Sequence, residues 1–283
     1  MTHTDTFLLA GVMGWPVMHS RSPMMHGQWL KENNKQGAYL PLAIQPDGLE
    51  QALRALKPLG FSGVNLTIPH KQAAMLIVDE VDEAAKKIGA ISCVTVQGNG
   101  KLVGSNNDAA GFMRNLNEAC PDWRASHGPA VVVGAGGGSR AICYSLMQAG
   151  VTNIKLVNRH FERAQQLAAD FGAPLVAHPW ELRNTLLSDA ALVVNTTSQG
   201  MVGQTPLDLA LDHLPQSAIV ADIVYIPLET PLLAAARARG HQTVNGLGML
   251  LHQGPLAWKA WFGLEPAVTP ALRTLLENSI NAA

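Results

Sequence analysis

Apolar residues in the first part of the chain fall into short runs, and the stretches between the runs show helical spacing. Runs at 7–13, 38–44 and 61–66 are rich in strand-forming residues and predict three strands. From 49 to 56 the apolar positions recur on one face of a helix, which predicts a helix there. Strands and helices that alternate in this way predict an α/β fold.

Prolines and turn residues mark further boundaries in this part of the chain. Pro23 and Pro69 each stand where a first helical turn accepts proline, and we expect each to open a helix. The segments 92–96 and 101–105 flank a Gly-Asn-Gly turn, which predicts a hairpin. A helix predicted over 107–119 leads toward a linker.

A more regular alternation begins at residue 130. Short apolar runs recur there, with helical patterns between most of them. This rhythm predicts a parallel, doubly wound sheet with right-handed crossovers, and the segment after 246 turns helical again. Strands are expected near 130–133, 153–157, 174–177, 190–194, 218–222 and 241–244.

The first strand of this series runs into a glycine-rich turn, nearly halfway along the chain. The glycines let the backbone turn sharply and approach a pyrophosphate, where free N–H groups and the dipole of the next helix favour an anion. Ser139 takes the third position of the G-x-G-x-x-G pattern and is small enough for close packing. The alternative is a turn that holds no ligand, but the strand–turn–helix context favours a dinucleotide. We expect it to contact Gly134, Ala135, Gly136, Gly137, Gly138 and Ser139.

The second strand of the series ends at a polar segment that bears on the choice of dinucleotide. A cofactor with a free ribose 2′-hydroxyl is expected to meet an Asp or Glu about 20 residues after the glycines. This chain offers Asn158 and Arg159 there, with Arg163 one helical turn further on. Guanidinium groups suit a 2′-phosphate, so the segment favours NADP, with NAD as the second choice. The alternative is two solvated arginines at the start of a helix.

Composition and charge narrow the class of protein. The 283 residues are 47% hydrophobic and 14% charged, which suits a large buried sheet. The net charge is −1 with no basic cluster, so nucleic acid is not an expected partner. No apolar run reaches the about 18 residues that a membrane span needs, and the chain lacks the basic start of a signal peptide. We expect a cytoplasmic protein, monomer or homodimer, without a disulfide framework or a metal.

Eight short segments are distinctive when they are taken together and in order. They are His19–Pro23, Gly63–Lys71, Gly104–Gly111, Gly134–Ala141, Asn158–Arg163, Asn195–Met201, Asp222–Pro227 and Gly246–Gln253. The first three resemble the H-S-x-S-P, G-x-N-x-T-x-P-x-K and G-x-N-T-D-x-x-G motifs of the shikimate dehydrogenase family, and the other five follow the family's order. The resemblance therefore covers nearly the whole chain.

The resemblance implies an NADP-linked oxidoreductase that interconverts 3-dehydroshikimate and shikimate, on the route to chorismate and aromatic amino acids. It implies a substrate-binding catalytic domain over 1–107, completed by 247–283, and a Rossmann-type NADP-binding domain over 108–246. The family's catalytic Lys–Asp pair corresponds to Lys71 and Asp108. The implied substrate-binding residues are Ser20, Ser22, Thr67, Ser92, Asn106, Tyr225 and Gln253, and the further implied cofactor-binding residues are Thr196, Thr197, Gly246 and Met249.

Lys71 and Asp108 also make chemical sense without the family. Hydride transfer to a ketone builds negative charge on oxygen, so a proton donor or a fixed positive charge must be close by. An ammonium group supplies either, and a carboxylate can orient it and bind a substrate hydroxyl. The alternatives are a solvated lysine early in a helix and, for Asp108, a helix N-cap.

The two serines of the first motif carry a similar ambiguity. In the family they hold the substrate carboxylate, and hydroxyls at a helix start suit that ligand. Ser20 or Ser22 could instead cap the helix that Pro23 opens, with Ser22 as the N-cap.

Four positions depart from the family pattern, in or beside the expected site. Ser92 replaces an asparagine that contacts substrate hydroxyls in the family, and a serine hydroxyl offers one donor where an amide offers two. The departures leave the redox pair intact and open the substrate to quinate, an aminoshikimate or another cyclic hydroxy acid. The other three are Gly27, Asn107 and Ser198, where the family has Asn, Thr and Pro.

Two competing functions belong to other classes. A non-catalytic NADP-binding regulator needs neither Lys71 nor Asp108, so the retention of both counts against it. Another Rossmann enzyme, such as a folate dehydrogenase, lacks the serine motif and the motif that ends at Gln253.

Overall fold

The computed structural model describes residues 7–282 and divides into two compact units. The N-terminal unit takes in the described residues up to Asn107 together with Leu251–Asn278. The central unit takes in Asp108–Leu250 together with the described residues from Ser279 onward. Each unit contains its own sheet, which confirms the predicted pair of α/β domains.

The N-terminal unit has a mixed six-stranded sheet in the order β2-β1-β3-β5-β6-β4. The first three strands in this order are parallel, and β5 is antiparallel to both β3 and β6. The β5–β6 pair confirms the predicted hairpin. The bounds are β1 Leu8–Gly14, β2 Gly37–Ala43, β3 Gly63–Leu66, β4 Glu80–Val81, β5 Cys93–Val96 and β6 Leu102–Ser105.

Helices α1 (Ser22–Glu32) and α2 (Leu49–Ala55) lie where the sequence predicts them. Pro23 sits in the first turn of α1, as expected. The N-cap residue of α1 is Arg21, so the alternative with Ser22 as the N-cap is wrong. Instead the Ser22 N–H donates to Ser20 Oγ over 3.2 Å, and this bond orders the entry to the helix.

The helix expected to open at Pro69 does not form. The Lys71 carbonyl, which an α-helix would pair with Met75, accepts a hydrogen bond from the Ile91 N–H instead. Met75 therefore bonds Gln72, and only a short 3₁₀ helix follows at Ala73–Leu76. A tertiary contact has replaced the local pattern.

A short helix that the sequence analysis did not predict follows β4. Helix α3 (Glu83–Ile88) begins after Asp82, whose carboxylate accepts the Ala85 N–H over 2.6 Å. It ends at Gly89, which has a φ of 71°. The helix is only six residues long, too short for apolar periodicity to reveal it.

The central unit has a six-stranded parallel sheet in the order β12-β11-β10-β7-β8-β9. The chain starts in the middle at β7, builds outward to β9, and then returns to build the other half from β10. This is the predicted doubly wound topology, and it is confirmed. The strands are β7 Ala130–Val133, β8 Ile154–Val157, β9 Leu175–His178, β10 Leu192–Asn195, β11 Ile219–Asp222 and β12 Gln242–Val244.

Apolar side chains cover both faces of this sheet, as buried parallel strands require. Val132 of β7 belongs to one buried cluster, and its neighbours Val131 and Val133 belong to another. The helices that contribute are α4 Asp108–Ala119, α5 Gly137–Gln148, α6 Phe161–Phe171 and α7 Pro231–Ala238.

Two helices close the chain, α8 (Leu247–Phe262) and α9 (Pro270–Asn281). Within the N-terminal unit, Trp258 of α8 donates its indole N–H to His26 Nδ1 of α1 over 2.6 Å. The His26 ring also stacks on Tyr39, with centroids 3.9 Å apart. Complete burial lowers the pKa of His26 to about 3, so the imidazole is neutral. None of the helices within residues 7–282 has the length and apolar character needed to cross a membrane.

Candidate active site

The glycine turn after β7 lies at the carboxyl edge of the central sheet. Gly134 has a φ of 114°, which residues other than glycine rarely adopt. A Cβ there would also lie 2.6 Å from Thr196 Oγ1, so both the backbone conformation and the packing require glycine. A Cβ at Gly136 would meet nothing within 4 Å. The turn is thus packed tightly on the protein side and open at the start of the 12-residue helix α5. This shape suits the approach of a pyrophosphate to the helix N-terminus.

Ser139 is completely buried and links the turn to the neighbouring loop. Its Oγ accepts the Gly136 N–H over 3.3 Å and bonds the hydroxyl of Thr196. Thr196 in turn donates to the Val133 carbonyl over 2.7 Å. In the bond between the two hydroxyls, Ser139 is therefore the donor and Thr196 the acceptor. The hydroxyl pair therefore fixes the glycine turn against the loop that follows β10.

The polar segment after β8 reaches the same edge of the sheet. Arg159 and Arg163 are exposed, at the start of α6, and the Asn158 amide donates to the His160 carbonyl over 2.8 Å. Adjacent parallel strands β7 and β8 place this segment beside the glycine turn. Two exposed guanidinium groups next to an anion-binding turn fit a phosphate in addition to the pyrophosphate.

Asp222, at the carboxyl end of β11, is 2% exposed. Its carboxylate joins the end of β10 to the loop that follows β11. Its Oδ1 accepts the Asn195 side-chain amide and the Val224 N–H, both over 3.0 Å. Its Oδ2 accepts the Thr230 hydroxyl over 2.8 Å. Burial raises the pKa of Asp222 to about 6, against the effect of these three donors.

The same network extends to predicted cofactor and substrate residues. The Asn195 Oδ1 accepts both the N–H and the hydroxyl of Thr197. Tyr225 is half-buried in the loop that begins at Asp222. The sequence analysis assigned no role to Asp222 or Asn195, although a polar residue that ends an apolar strand at a sheet's carboxyl edge is a signal for a site.

The last predicted cofactor residues follow β12. A Cβ at Gly246 would lie 2.1 Å from the Ile223 carbonyl oxygen, so only glycine fits between these loops. Met249 is 8% exposed and packs in the core of the central unit. The structure thus brings the predicted residues after β7, β8, β10 and β12 to one edge of one sheet.

In the N-terminal unit, the segment Ala90–Ser92 is a meeting point of hydrogen bonds. The Ile91 N–H donates to the Lys71 carbonyl over 2.9 Å, and the Ser92 N–H donates to the Ser105 carbonyl over 2.9 Å. The Ser92 carbonyl accepts the Leu66 N–H over 2.9 Å. One segment therefore joins the end of β3, the loop that carries Lys71 and the end of β6.

Two more bonds tie the end of β6 to this segment. The Asn106 amide donates to the Ala90 carbonyl over 2.9 Å, and the Asn107 N–H donates to Ser92 Oγ over 2.9 Å. Ser92 is 2% exposed, so its hydroxyl faces the protein interior. The next residue along the chain is Asp108, which begins α4 in the central unit and is 1% exposed.

The loop between β3 and Lys71 is anchored by His70. Its Nε2 contacts the Ile44 carbonyl over 2.8 Å, and burial lowers its pKa, so the imidazole is neutral and donates. Thr67 is half-buried and its N–H donates to the Met13 carbonyl. Lys71 itself is half-buried at the end of this loop.

The remaining predicted substrate residues lie at helix starts or on helices of this unit. Ser20 is half-buried and Ser22 is 6% exposed at the start of α1, while Gln253 is half-buried on α8. Gly27 faces open space, since a Cβ there would meet nothing within 4 Å. Ser198, on the loop after β10, is exposed.

The cysteines are buried thiols. Burial raises the pKa of Cys93 and Cys143 to about 12 and that of Cys120 to about 11, which makes them poor nucleophiles. Within residues 7–282, no group of three or more His, Cys, Asp and Glu side chains could hold a metal ion.

Two family models match the chain. The shikimate dehydrogenase substrate-binding domain matches residues 12–94, and the shikimate/quinate 5-dehydrogenase model matches residues 120–224. The first match lies within the N-terminal unit and the second lies within the central unit.

Individual proteins match over almost their whole length. The shikimate dehydrogenase (NADP(+)) of Rhodospirillum rubrum is 55% identical over 269 residues, which cover 94% of this chain and 95% of the relative. The crystal structure of shikimate 5-dehydrogenase from Thermus thermophilus with NADP(H) and shikimate is 36% identical, with a TM-score of 0.85 over 97% of this chain and 100% of its own. Quinate dehydrogenase from Corynebacterium glutamicum with NAD is 33% identical, with a TM-score of 0.88 over 96% and 99%.

Proposed function

The chain belongs to the shikimate dehydrogenase family, and on this premise we propose that it interconverts 3-dehydroshikimate and shikimate with NADP. It is an oxidoreductase that acts on a CH–OH group of a small hydroxylated cyclic acid. The observation that carries the cofactor assignment is the edge of the central sheet, where an open glycine turn stands beside two exposed arginines.

The described residues fit a phosphorylated dinucleotide. The turn around Gly136 and the N-terminus of α5 would hold the pyrophosphate. Arg159 and Arg163 would bind the 2′-phosphate as a charged pair, which favours NADP over NAD. When bound, the nicotinamide supplies or accepts the hydride.

Lys71 and Asp108 supply the proton chemistry in this proposal. The Lys71 ammonium donates a proton to the oxygen as the ketone is reduced. Alternatively, it keeps its proton and stabilises the negative charge on that oxygen electrostatically. The Asp108 carboxylate accepts a hydrogen bond from a substrate hydroxyl and orients the ammonium. The anchoring of the Lys71 loop by Ile91 and His70 supports such a role, since a catalytic group must be held in place.

Polar side chains are proposed to bind the carboxylate and the hydroxyl groups of the substrate. Ser20 and Ser22, at the start of α1, are proposed to bind the carboxylate. The amide and hydroxyl groups proposed to bind the ring hydroxyls belong to Thr67, Asn106, Tyr225 and Gln253. Ser92, which the family resemblance adds to this set, already accepts the Asn107 N–H through its Oγ.

A second substrate deserves a direct test because of the four departures from the family pattern. Asn107 directly precedes Asp108 in the chain, and Ser92 directly follows Ile91, whose N–H bonds the Lys71 carbonyl. The similar structure from Corynebacterium glutamicum is a quinate dehydrogenase. Quinate and aminoshikimate are therefore the alternative substrates. In the cell we propose a cytoplasmic enzyme, monomeric or homodimeric, that needs no nucleic acid or membrane.

The proposal is tested by following the reduction of NADP and NAD spectrophotometrically. Shikimate, quinate and aminoshikimate are offered in parallel, each with both cofactors. We expect shikimate with NADP to give the highest kcat/KM. Turnover of none of the three acids, by protein that still binds NADPH, would contradict the proposed function.

A further inference from the structure

Ser92 has a contact that differs from the one its place in the sequence suggests. The family resemblance implies that it binds a substrate hydroxyl, yet its Oγ accepts the Asn107 N–H over 2.9 Å. The side chain is 2% exposed, and the Asn107 peptide is itself buried. One acceptor position of the hydroxyl oxygen is therefore taken by the protein backbone.

This bond is the only one from a side chain of the Ala90–Ser92 segment among the bonds described above. Three others, between Ile91 and Lys71 and between Ser92 and both Leu66 and Ser105, join backbone groups. A further bond joins the Asn106 side-chain amide to the Ala90 carbonyl. They leave the segment fixed on the side of Lys71 whatever the side chain at position 92. The Ser92 hydroxyl extends the same segment to the Asn107 peptide, where the chain enters α4.

The residue after that peptide is Asp108, the proposed partner of Lys71. The side-chain Nδ2 of Asn107 is buried with no hydrogen-bond partner among the described residues. The backbone N–H of the same residue donates to Ser92 Oγ. Loss of that acceptor removes the side-chain bond to the peptide at the start of α4.

We propose that Ser92 is a positioning residue, which holds the Asn107 peptide and through it the orientation of Asp108. The inference rests on the proposed function, because it assumes that Asp108 takes part in the reaction. It predicts a defect in turnover, whereas a substrate-binding serine predicts a defect in affinity.

The experiment compares Ser92→Ala, which removes the hydroxyl, with Ser92→Thr, which keeps it. For Ser92→Ala we expect kcat for shikimate to fall by about tenfold or more and its KM to change by less than about threefold. The pH profile of kcat should shift as well, because the environment of Asp108 changes. Ser92→Thr should recover most of kcat.

Ser145→Ala is the matched control, because Ser145 is a serine of the central unit with 5% exposure whose hydroxyl bonds a helix carbonyl. It should leave kcat and the pH profile as in the wild type. NADPH binding and the thermal unfolding midpoint report whether each variant is folded. Amide hydrogen exchange of the peptide around Asn107 should be faster in Ser92→Ala and near normal in Ser92→Thr.

The outcomes separate the two proposals. Wild-type protein that turns over none of the acids overturns the proposed function and this inference with it. Active wild type together with a Ser92→Ala variant that keeps kcat and its pH profile overturns the inference alone. A rise in KM at unchanged kcat, in folded protein, also overturns it and assigns Ser92 to substrate binding.

Discussion

The Ser139 hydroxyl bonds the Thr196 hydroxyl, and this single contact connects the glycine turn after β7 with the loop after β10. The Thr196 hydroxyl itself donates a hydrogen bond to the Val133 carbonyl, so each hydroxyl in the series has a defined partner. Ser139 is completely buried, which means that it serves the dinucleotide site by holding the turn in shape.

Ser139→Ala should therefore weaken the binding of the cofactor and leave the binding of the acid substrate unchanged. Loss of the two bonds of this hydroxyl, with the Gly136 N–H and with Thr196, costs about 2 kcal/mol, which corresponds to a rise of about thirtyfold in KM for NADPH. KM for shikimate should stay within a factor of about two. Steady-state kinetics with each substrate varied in turn measures both, and Ser145→Ala on the same helix is the control. Equal effects on both substrates would contradict the assignment.

Arg159→Ala should reduce the preference for NADP over NAD. Removal of one guanidinium from a 2′-phosphate costs about 1.5–3 kcal/mol, or about tenfold to a hundredfold in KM for NADPH. NADH carries no such phosphate, so its KM should change little. The control is Arg239→Ala, an arginine that follows α7 in the central unit and pairs with Asp212. A similar loss for both cofactors would show that Arg159 has no special role toward the 2′-phosphate.

Lys71→Ala should lower turnover far more than it lowers cofactor binding. A positioned proton donor contributes about 10²–10⁴ to the rate, so a decrease of about a hundredfold or more in kcat is expected. The dissociation constant of NADPH, measured by fluorescence titration, should be unchanged. Lys57→Ala is the control, since the Lys57 ammonium donates to the Gly98 carbonyl of the exposed hairpin turn in the same unit. Near-normal turnover of Lys71→Ala would remove it from the mechanism.

Asp222 should make stability depend on pH in an unusual direction for a carboxylate. Its pKa is raised to about 6 in the folded protein, so the folded state binds the proton more tightly than the unfolded state. The resulting stability is fully present below the unfolded pKa of about 3.9 and is lost as the pH rises through about 6.

Asp222→Asn removes that titration and keeps an oxygen for Asn195 and Val224. The free energy of unfolding of the wild type, minus that of the variant, should fall by about 2 kcal/mol between about pH 4 and pH 7. Urea unfolding at several pH values measures this difference, in which other titrating groups cancel. A difference that does not vary with pH would show that the Asp222 pKa is close to its ordinary value.

Sequence patterns were sufficient for the architecture of the central unit, and the physical reason lies in its strands. β7, β8 and β10 are short buried runs of β-branched and apolar residues, and each ends at the polar residues expected to form the site. Local composition and the geometry of a parallel sheet decide both features. The roles of these polar residues stay predictions until they are tested.

The N-terminal unit was less predictable because long-range contacts decide its details. Pro69 does not open an α-helix, since the Lys71 carbonyl bonds Ile91 in the segment before β5. Whether the Ser92 hydroxyl faces a ligand or the Asn107 peptide depends on a contact between the segment before β5 and the segment after β6. No periodicity in the sequence records such a bond.

The interleaved course of the chain has a consequence for biosynthesis. The tryptophans of α8 complete the core of the N-terminal unit, where Trp258 bonds His26 and the Trp261 indole donates to the Val94 carbonyl. A ribosome delivers every strand of the central unit before it reaches Trp258, and domains fold as units while the chain emerges. All strands of the central unit are thus synthesised before the last aromatic side chains of the N-terminal core. The N-terminal unit, although its synthesis starts first, cannot complete its core until α8 has been made.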